Sequence, residues 1–254
     1  MTDAQTGQKL IGDASDVLTE RKETMVGIIA AMEIEANGLK ELLKDKVSQR
    51  ISGIEFTRGT LSGANVVVCV CGVGKVFAAI CAEIMILRYS PDCIINTGVA
   101  GTLTDELGIG DRAVGIDSVQ HDMDTTAIGD PRGFISVINK VRIPCDAQLV
   151  DCISKAVKSI GVNSRSGTVA SGDSFIASDE QKKLITDTFD GAICCEMEGA
   201  AIGQVCTINH IPYAIIRAIS DNADGASPDD FPAFTEKAAK RSIEVVRKVI
   251  KMLD

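Results

Sequence analysis

Short apolar runs alternate along this chain with longer stretches in which apolar residues recur every three to four positions. Apolar runs of four to eight residues are typical of buried strands, and the longer period is typical of amphipathic helices. Eight runs predict strands, at residues 26–30, 55–60, 66–70, 93–97, 113–119, 167–170, 192–196 and 213–219. Six stretches predict helices, at residues 34–44, 76–89, 147–160, 179–186, 199–208 and 233–252.

The alternation of strands and helices is interrupted by one hairpin, whose turn we predict at residues 62–65. This order predicts an α/β fold with a mixed, mostly parallel β-sheet that is flanked by helices. The length of 254 residues suits a single domain. Residues 1–24 lack a sustained period, so we predict a polar leader there, mobile or folded as a short surface helix. The domain itself is predicted at residues 25–254.

The formal net charge of -9 at pH 7 argues against broad contact with nucleic acid or an anionic membrane, because both attract clusters of Lys and Arg. We therefore expect a small-molecule partner. No apolar run reaches membrane-spanning length, and the polar N-terminus lacks the apolar segment of a signal peptide. These features predict a cytoplasmic protein.

The sequence contains nine cysteines and two histidines, but no C-x-x-C pair. Most of the cysteines lie in apolar runs, where a free thiol behaves as a small hydrophobic group. We expect buried, reduced thiols rather than disulfides or a metal site. The glycine-bearing loops at residues 72–74 and 98–101 match neither the Walker A nor the dinucleotide-binding fingerprint. The sequence therefore predicts neither a metal nor a cofactor.

Carboxylates stand where several predicted strands end. Glu35 follows the first strand, Glu196 and Glu198 lie at the end of a later strand, and Asp221 follows the last one. Burying a carboxylate is costly unless it is paired or used, and α/β proteins build their sites at strand ends. Taken singly, Glu35 could serve a helix dipole and Asp221 could cap a helix. Together, such acids suit glycosidic cleavage, in which one carboxyl protonates the leaving group and another orients water.

Six blocks follow one another along the chain: GIIAAMEIE at 27–35, CGVGK at 71–75, INTGVAG at 95–101, SGDSFI at 171–176, EME at 196–198 and RAISD at 217–221. Over nearly all of residues 25–254, the chain resembles the 5'-methylthioadenosine/S-adenosylhomocysteine nucleosidases, a family of the nucleoside phosphorylase superfamily. The resemblance implies a single α/β domain with a twisted, mixed sheet and a homodimer. It also implies hydrolysis of an N-glycosidic bond that releases adenine and a 5'-thio-substituted ribose, a step of methionine salvage.

The resemblance implies a role for each acid. Asp221 resembles the acid that protonates adenine at N7, with Ser220 holding the carboxyl group in place. Glu35 resembles the carboxylate that positions and activates water, and Glu198 resembles the acceptor of the ribose hydroxyls. Two further residues would support the region of Glu198: Arg217 and Glu196.

The remaining matches imply the wall of a pocket for an adenine nucleoside. Phe175 would stack on adenine, and the backbone of Ile176 would hydrogen-bond its amino edge. Val99 stands where the family commonly has serine, which removes a hydroxyl from the pocket edge. Four apolar residues would form a slot for the 5'-thio group, with ordinary core as the alternative interpretation: Met32, Val73, Met197 and Phe231.

In the family, the neighbouring subunit closes the 5' pocket, through positions that match Thr125 and Ile128. The segment keeps the family's H-D-x-D start at residues 121–124, but after Gly129 it lacks the usual tyrosine- and glutamine-containing run. The preference among 5' substituents is therefore left open by the sequence.

Two carboxylates in the first-strand loop, Glu33 and Glu35, favour hydrolysis over phosphorolysis, because they repel phosphate and accept hydrogen bonds from water. The same motifs leave three alternatives: a phosphate-dependent purine nucleoside phosphorylase, a futalosine-type nucleosidase, and a non-catalytic nucleoside-binding protein on this fold. The presence of Glu35, Glu198 and Asp221 together argues against the last.

Overall fold

The computed structural model describes residues 24–224 and 231–253, apart from the side chains of Glu35 and of residues 231–237. Within these residues, ten strands pair in one mixed sheet and six α-helices pack against it. The strands are β1 Met25–Ala30, β2 Lys44–Ile51, β3 Ile54–Leu61, β4 Ala64–Val70, β5 Cys93–Thr102, β6 Arg112–Gln120, β7 Ile143–Pro144, β8 Ser164–Ser171, β9 Ala192–Glu196 and β10 Tyr213–Asp221. The helices are α1 Glu33–Leu42, α2 Lys75–Tyr89, α3 Ala147–Ser159, α4 Asp179–Thr188, α5 Gly199–Ile208 and α6 Phe231–Leu253, and a single 3-10 turn spans Thr126–Ile128.

The sheet closes on itself over half of its width. Nine strands follow the order β10-β6-β8-β9-β5-β1-β4-β3-β2, and β7 pairs with β6 beside them. β10 also pairs with β5, so that five strands form a ring. β1, β4, β5 and β10 are joined by parallel pairings, whereas β9 meets β5 in antiparallel orientation. The predicted mixed α/β sheet is confirmed, and helices flank it as expected.

Side chains of the central strands alternate between two apolar layers, as the period of two in a strand requires. On β1, Ile29 packs into the layer beneath α2 and α5, while Val26 and Ile28 pack into the layer beneath α1, α3 and α6. Because both faces are covered, these strands appear in the sequence as continuous apolar runs rather than as alternating ones.

Strand β2 was not predicted. Seven of its eight residues are exposed and its sequence, KDKVSQRI, is charged and nearly without apolar period. It pairs with β3 and forms one edge of the sheet, where charged side chains protect against pairing with other chains. A strand that buries little surface leaves little hydrophobic signal, so only its backbone pairing identifies it.

Strand β5 continues through the glycines at which a loop was predicted. Backbone pairing with β10 extends from Ile94 to Gly101, where Gly101 lies opposite Asp221. A Cβ at position 101 would come within 2.7 Å of the Asp221 Oδ1 atom. The second glycine of the INTGVAG block therefore allows two strands to approach closely at a carboxylate.

The prediction about the N-terminal end of the chain remains a prediction. The leader at residues 1–24 lies, except for Thr24, outside the described residues. Among the helices that the structure describes, none combines the length and the apolar character needed to cross a membrane.

Candidate active site

Three strand ends bring the predicted site together. At the carboxyl end of β5, Gly101 pairs with Cys195 of β9 on one side and with Asp221 of β10 on the other. β5 and β9 run in opposite directions but overlap only at their last residues, so their carboxyl ends meet. The carboxylates that follow β9 and end β10 are thereby placed on either side of Gly101.

A cavity opens at this junction, and the end of β1 and the loops after β4 and β8 complete its wall. Ten predicted site residues line it: Met32, Val73, Val99, Phe175, Ile176, Glu196, Met197, Glu198, Ser220 and Asp221. Six further residues line it that sequence analysis had not selected: Ala31, Gly98, Ala100, Gly101, Ser174 and Cys195.

The other predicted residues stand apart from this lining. Arg217 is buried behind the cavity, with 1% of its surface exposed. Thr125 and Ile128 lie at the 3-10 turn, where Ile128 is 81% exposed, and their predicted role concerns a second subunit. The backbone of Glu35 lies in the first turn of α1, three residues after Met32, but its side chain and that of Phe231 are outside the described atoms.

Glu196 is held by a full set of donors. Its Oε2 atom accepts hydrogen bonds from the backbone N–H of Glu198 at 3.1 Å and of Gly199 at 2.8 Å. Its Oε1 atom accepts from the Ser171 hydroxyl, and its carboxylate forms an ion pair with Arg217. With these partners, Glu196 has little capacity left for a ligand and fits a supporting role.

The Arg217 guanidinium is positioned from below by Asn96, which sequence analysis quoted in a motif without giving it a role. Arg217 donates to the Asn96 side-chain oxygen and to the backbone carbonyl of Ile216. The Asn96 amide donates in turn to the carbonyl of Ile29, at 2.9 Å. Asn96 is a polar residue within the apolar run 93–97. Because buried polar groups need hydrogen-bond partners, its position was a sequence signal for this network.

Glu198 differs from Glu196 in having capacity for a ligand. Its Oε1 atom accepts a hydrogen bond of 3.0 Å from the backbone N–H of Gly74, and Arg217 lies 3.9 Å from its Oε2 atom. Gly74 has φ of 102°, a value that favours glycine, and thereby aims its N–H at the carboxylate. Burial, and then the neighbouring Glu196, raise the pKa of Glu198 to about 7, although Arg217 opposes the shift.

Asp221 lies at the end of β10 and is 6% exposed. Its Oδ1 atom accepts from the backbone N–H of Ala223 at 2.9 Å, and its Oδ2 atom accepts from the Ser220 hydroxyl at 2.7 Å. The same hydroxyl lies 3.3 Å from the carbonyl of Ala100. The Ser220 hydroxyl has one proton and donates it to either acceptor. It can therefore donate to the Ala100 carbonyl instead when the Asp221 carboxyl group is itself protonated. The arrangement accommodates both protonation states of Asp221.

Comparison with known proteins places this geometry in a family. A family model described as the phosphorylase superfamily matches residues 25–251. A curated 5'-methylthioadenosine/S-adenosylhomocysteine nucleosidase of Shewanella halifaxensis is 43% identical over 229 residues, which cover 90% of this chain and 99% of the relative. The chain belongs to this nucleosidase family.

Solved structures agree with the family. The nucleosidase of Neisseria meningitidis, in complex with methylthio-immucillin-A, is similar with a TM-score of 0.86 and 33% identity over 90% of this chain and 99% of that one. The futalosine hydrolase of Helicobacter pylori is similar with a TM-score of 0.85 and 32% identity over 90% of this chain and 98% of that one. Two types of nucleosidase therefore share this fold.

In this member of the nucleosidase family, the apolar wall is open to a ligand rather than packed as core. Val73 is 56% exposed and Phe175 is 64% exposed, and both line the cavity. Met32 and Met197 are half-buried. Exposed apolar surface of this kind is typical of ligand sites. The alternative interpretation, in which Val73 belongs to the ordinary core, is therefore wrong.

A charged network joins the two loops that hold the apolar wall. Lys75 Nζ lies 2.6 Å from Asp122, and the backbone N–H of Lys75 donates to Asp173 at 2.8 Å. The backbone N–H of Asp173 donates to Asp122, also at 2.8 Å. Burial acts against ionisation of Asp122, but these donors outweigh it and lower its pKa. The network connects the loop of Val73 to the loop of Phe175.

The raised pKa of the buried Glu198 predicts that the free energy of unfolding depends on pH. Its folded pKa of about 7 exceeds the ordinary pKa of a glutamate, 4.5, so the folded state binds more protons than the unfolded state between these values. The free energy of unfolding should therefore fall as the pH rises from about 4.5 to 7. Glu198→Gln removes this loss and is expected to be more stable than wild type by about 2–3 kcal/mol at pH 8.

Urea denaturation of both proteins at pH 5 and at pH 8 measures this difference. At pH 5 the wild-type carboxyl is mostly protonated and resembles the amide, which makes that pH the matched control. An equal difference at the two pH values would contradict the assignment of the titration to Glu198.

Groups of His, Cys, Asp and Glu that could hold a metal ion were not found among the described residues. All nine cysteines lie in described residues and are free thiols, and all but Cys152 are buried. Burial raises the pKa of Cys93 and of Cys195 to about 12, so these thiols stay protonated at neutral pH.

Proposed function

We propose that the chain hydrolyses the N-glycosidic bond of 5'-methylthioadenosine and of S-adenosylhomocysteine, releasing adenine and a 5'-thio-substituted ribose. One observation carries the proposal: Glu198 and Asp221 face one cavity from strand ends that meet at Gly101. An apolar wall completes the cavity, as a nucleoside with a thioether substituent requires. The family to which the chain belongs supports the same activity.

At the base end of the cavity, Asp221 is the proposed general acid. A proton on adenine N7 makes the base a better leaving group, and a positioned acid contributes about 10²–10⁴-fold to such a step. The hydrogen bonds from Ser220 and Ala223 orient the carboxyl group. We propose that Phe175 stacks on adenine and that the backbone of Ile176 binds its amino edge, with Val99 at the rim.

At the sugar end, Glu198 is the proposed acceptor of the ribose hydroxyls. The transition state of glycosidic cleavage carries positive charge on the sugar ring, which a nearby carboxylate stabilises. Arg217 pairs mainly with Glu196 and lies farther from Glu198. Arg217 therefore does not neutralise Glu198, whose carboxylate acts on the sugar when it is ionised, above its pKa of about 7.

Glu35 is the proposed residue that positions and activates water. Its backbone follows Ala31 and Met32, which line the cavity, and lies in the first turn of α1, close to Glu33. Two carboxylates at this place oppose the binding of phosphate but accept hydrogen bonds from water. This difference favours hydrolysis over phosphorolysis.

We propose that the protein acts as a homodimer in the cytoplasm, in methionine salvage. The slot for the 5'-thio group would consist of Met32, Val73, Met197 and Phe231. The position of Ile128, exposed at the 3-10 turn, supports a role for Thr125 and Ile128 in closing the slot of a second subunit. Nine free thiols support a reducing compartment.

Adenine release from 5'-methylthioadenosine should proceed at the same rate with and without phosphate. The measurement follows adenine by chromatography in phosphate-free buffer and after addition of phosphate, and identifies the sugar product in each case. The sugar should be free methylthioribose under both conditions. A rate that depends on phosphate, with a sugar phosphate as the product, would identify a phosphorylase instead.

A second candidate function is hydrolysis of a futalosine-type nucleoside, which the similarity to the futalosine hydrolase of Helicobacter pylori favours. 6-Amino-6-deoxyfutalosine has the same adenine base and ribose as 5'-methylthioadenosine and differs from it at the 5' substituent. Competition between 5'-methylthioadenosine and 6-amino-6-deoxyfutalosine in one assay ranks the two substrates.

A further inference from the structure

A second cavity of about 420 Å³ opens beside the proposed nucleoside site. The two cavities share Val73, and Glu33 of the second cavity directly follows Met32 of the first. The second cavity lies between α1, the end of β4 and the turn that joins β2 to β3. It therefore begins where the proposed slot for the 5'-thio group ends.

Four charged side chains line this second cavity, two of each sign: Glu33, Lys40, Arg50 and Glu55. The Lys40 side chain is 13% exposed, and its Nζ atom lies 3.2 Å from Glu55 and 3.9 Å from Glu33. The carboxylates thus share one ammonium group between them.

Lys40 pairs with both carboxylates, and Arg50 is the second cation of the cavity lining. Within the part of the chain that the structure describes, its guanidinium makes one hydrogen bond, of 3.4 Å, to the carbonyl of Gly53, and it has no ion pair. Arg50 lies directly across the hairpin from Glu55, whose partner is Lys40. A planar guanidinium with free donors is well suited to bind a carboxylate.

We propose that this cavity binds the α-amino acid end of a 5'-thio substituent, as in S-adenosylhomocysteine. Arg50 would bind the α-carboxylate, and Glu33 and Glu55 would bind the α-ammonium group. In this substrate two methylene groups separate the sulfur from the α-carbon, so a sulfur at Val73 directs the zwitterion into the second cavity. The inference rests on the proposed function and assigns the residues that select among its substrates.

The mixture of charges favours a zwitterion over a simple anion. A substituent with only a carboxylate would be attracted by Arg50 but repelled by Glu33 and Glu55. A zwitterion also carries an ammonium group, which these two carboxylates attract. The short methylthio group of 5'-methylthioadenosine reaches none of these charges. The structure therefore predicts that changes in the second cavity alter the ratio of activities toward the two substrates.

The test compares kcat/KM for S-adenosylhomocysteine with kcat/KM for 5'-methylthioadenosine in wild type and in Arg50→Gln. The ratio is expected to fall about two- to fivefold in the variant, through KM, because an exposed charge pair contributes modestly. Arg58→Gln, on the same hairpin but outside the cavity lining, is the matched control and should leave the ratio unchanged. An unchanged ratio in Arg50→Gln would overturn the inference.

A second comparison separates recognition of the ammonium group from recognition of the carboxylate. The des-amino analogue of S-adenosylhomocysteine has the carboxylate alone. Glu33→Gln should improve kcat/KM for this analogue while lowering it for S-adenosylhomocysteine, since the carboxylate of Glu33 repels one ligand and attracts the other. A parallel change for both ligands would contradict binding of the zwitterion here.

Failure of the inference and failure of the proposed function give different results. If wild type releases no adenine from 5'-methylthioadenosine, the proposed function is wrong. If wild type cleaves both substrates and the Arg50→Gln and Glu33→Gln variants keep the wild-type ratio, only the second cavity has been assigned wrongly.

Discussion

Asp221→Asn is expected to lower the rate of adenine release from 5'-methylthioadenosine by about 10²–10⁴-fold. An amide has nearly the same size as the carboxyl group but cannot transfer a proton to the leaving base. The neighbouring groups can form hydrogen bonds with the amide, because its oxygen can accept the one from the backbone N–H of Ala223. The amide nitrogen can donate to Ser220, whose hydroxyl then turns to the carbonyl of Ala100.

Single-turnover measurement with enzyme in excess isolates the chemical step from product release. Binding of adenine, measured by calorimetry, should be retained, since the amide leaves the cavity wall in place. Asp224→Asn is the matched control, because Asp224 lies three residues later, is exposed and is not part of the cavity lining. A loss below about tenfold would contradict the role of general acid.

A substrate with a different leaving group makes this prediction sharper. A 4-nitrophenyl 5-thioriboside releases a phenolate that needs no proton at neutral pH. If Asp221 acts as the acid, the variant should lose much less activity on this compound than on the adenine nucleoside. An equal loss on both compounds would show that Asp221 only positions the substrate.

Arg217→Met is expected to lower the free energy of unfolding by about 3–5 kcal/mol at pH 7. Arg217 is 1% exposed and neutralises Glu196, which is itself 8% exposed and hydrogen-bonded as a carboxylate. Removing the cation leaves a buried negative charge beside Glu198. It also removes the donor to the side-chain oxygen of Asn96, which is fully buried, and an unsatisfied buried acceptor is costly.

Urea denaturation of Arg217→Met and of the double variant Arg217→Met/Glu196→Gln distinguishes charge from packing. The double variant should regain part of the loss, because it removes the unpaired carboxylate together with its partner. Lys155→Met, which breaks an exposed ion pair with Asp151, is the control and should cost at most about 1 kcal/mol. A loss below about 1 kcal/mol in Arg217→Met would contradict the assigned role of the pair.

Much of the fold could be predicted because its signals are local. A strand covered on both faces is a continuous apolar run, as in residues 26–30 and 213–219, and the helices between such runs carry their own period. The acids of the candidate site were predicted for a related reason. A carboxylate directly after an apolar run is costly unless it has partners or a ligand, and Glu198 and Asp221 both stand at such places.

Other features depend on residues that are distant in sequence, and no local pattern could indicate them. Strand β2 buries too little surface to produce a period, and the charges of Lys40, Arg50 and Glu55 became a candidate site only when the hairpin packed beside α1. Glu196 and Glu198 are equivalent in sequence, but Arg217, Ser171 and two backbone N–H groups hold the first, while Gly74 leaves the second available.

The sequence by itself determined the α/β alternation and the acids that stand at strand ends, because both depend on burial along a short stretch of chain. Only the tertiary structure decided that β5, β9 and β10 bring their carboxyl ends together at Gly101. The direction in which two strands pair is set by contacts across the whole sheet. That pairing places Glu198 and Asp221 at the same cavity.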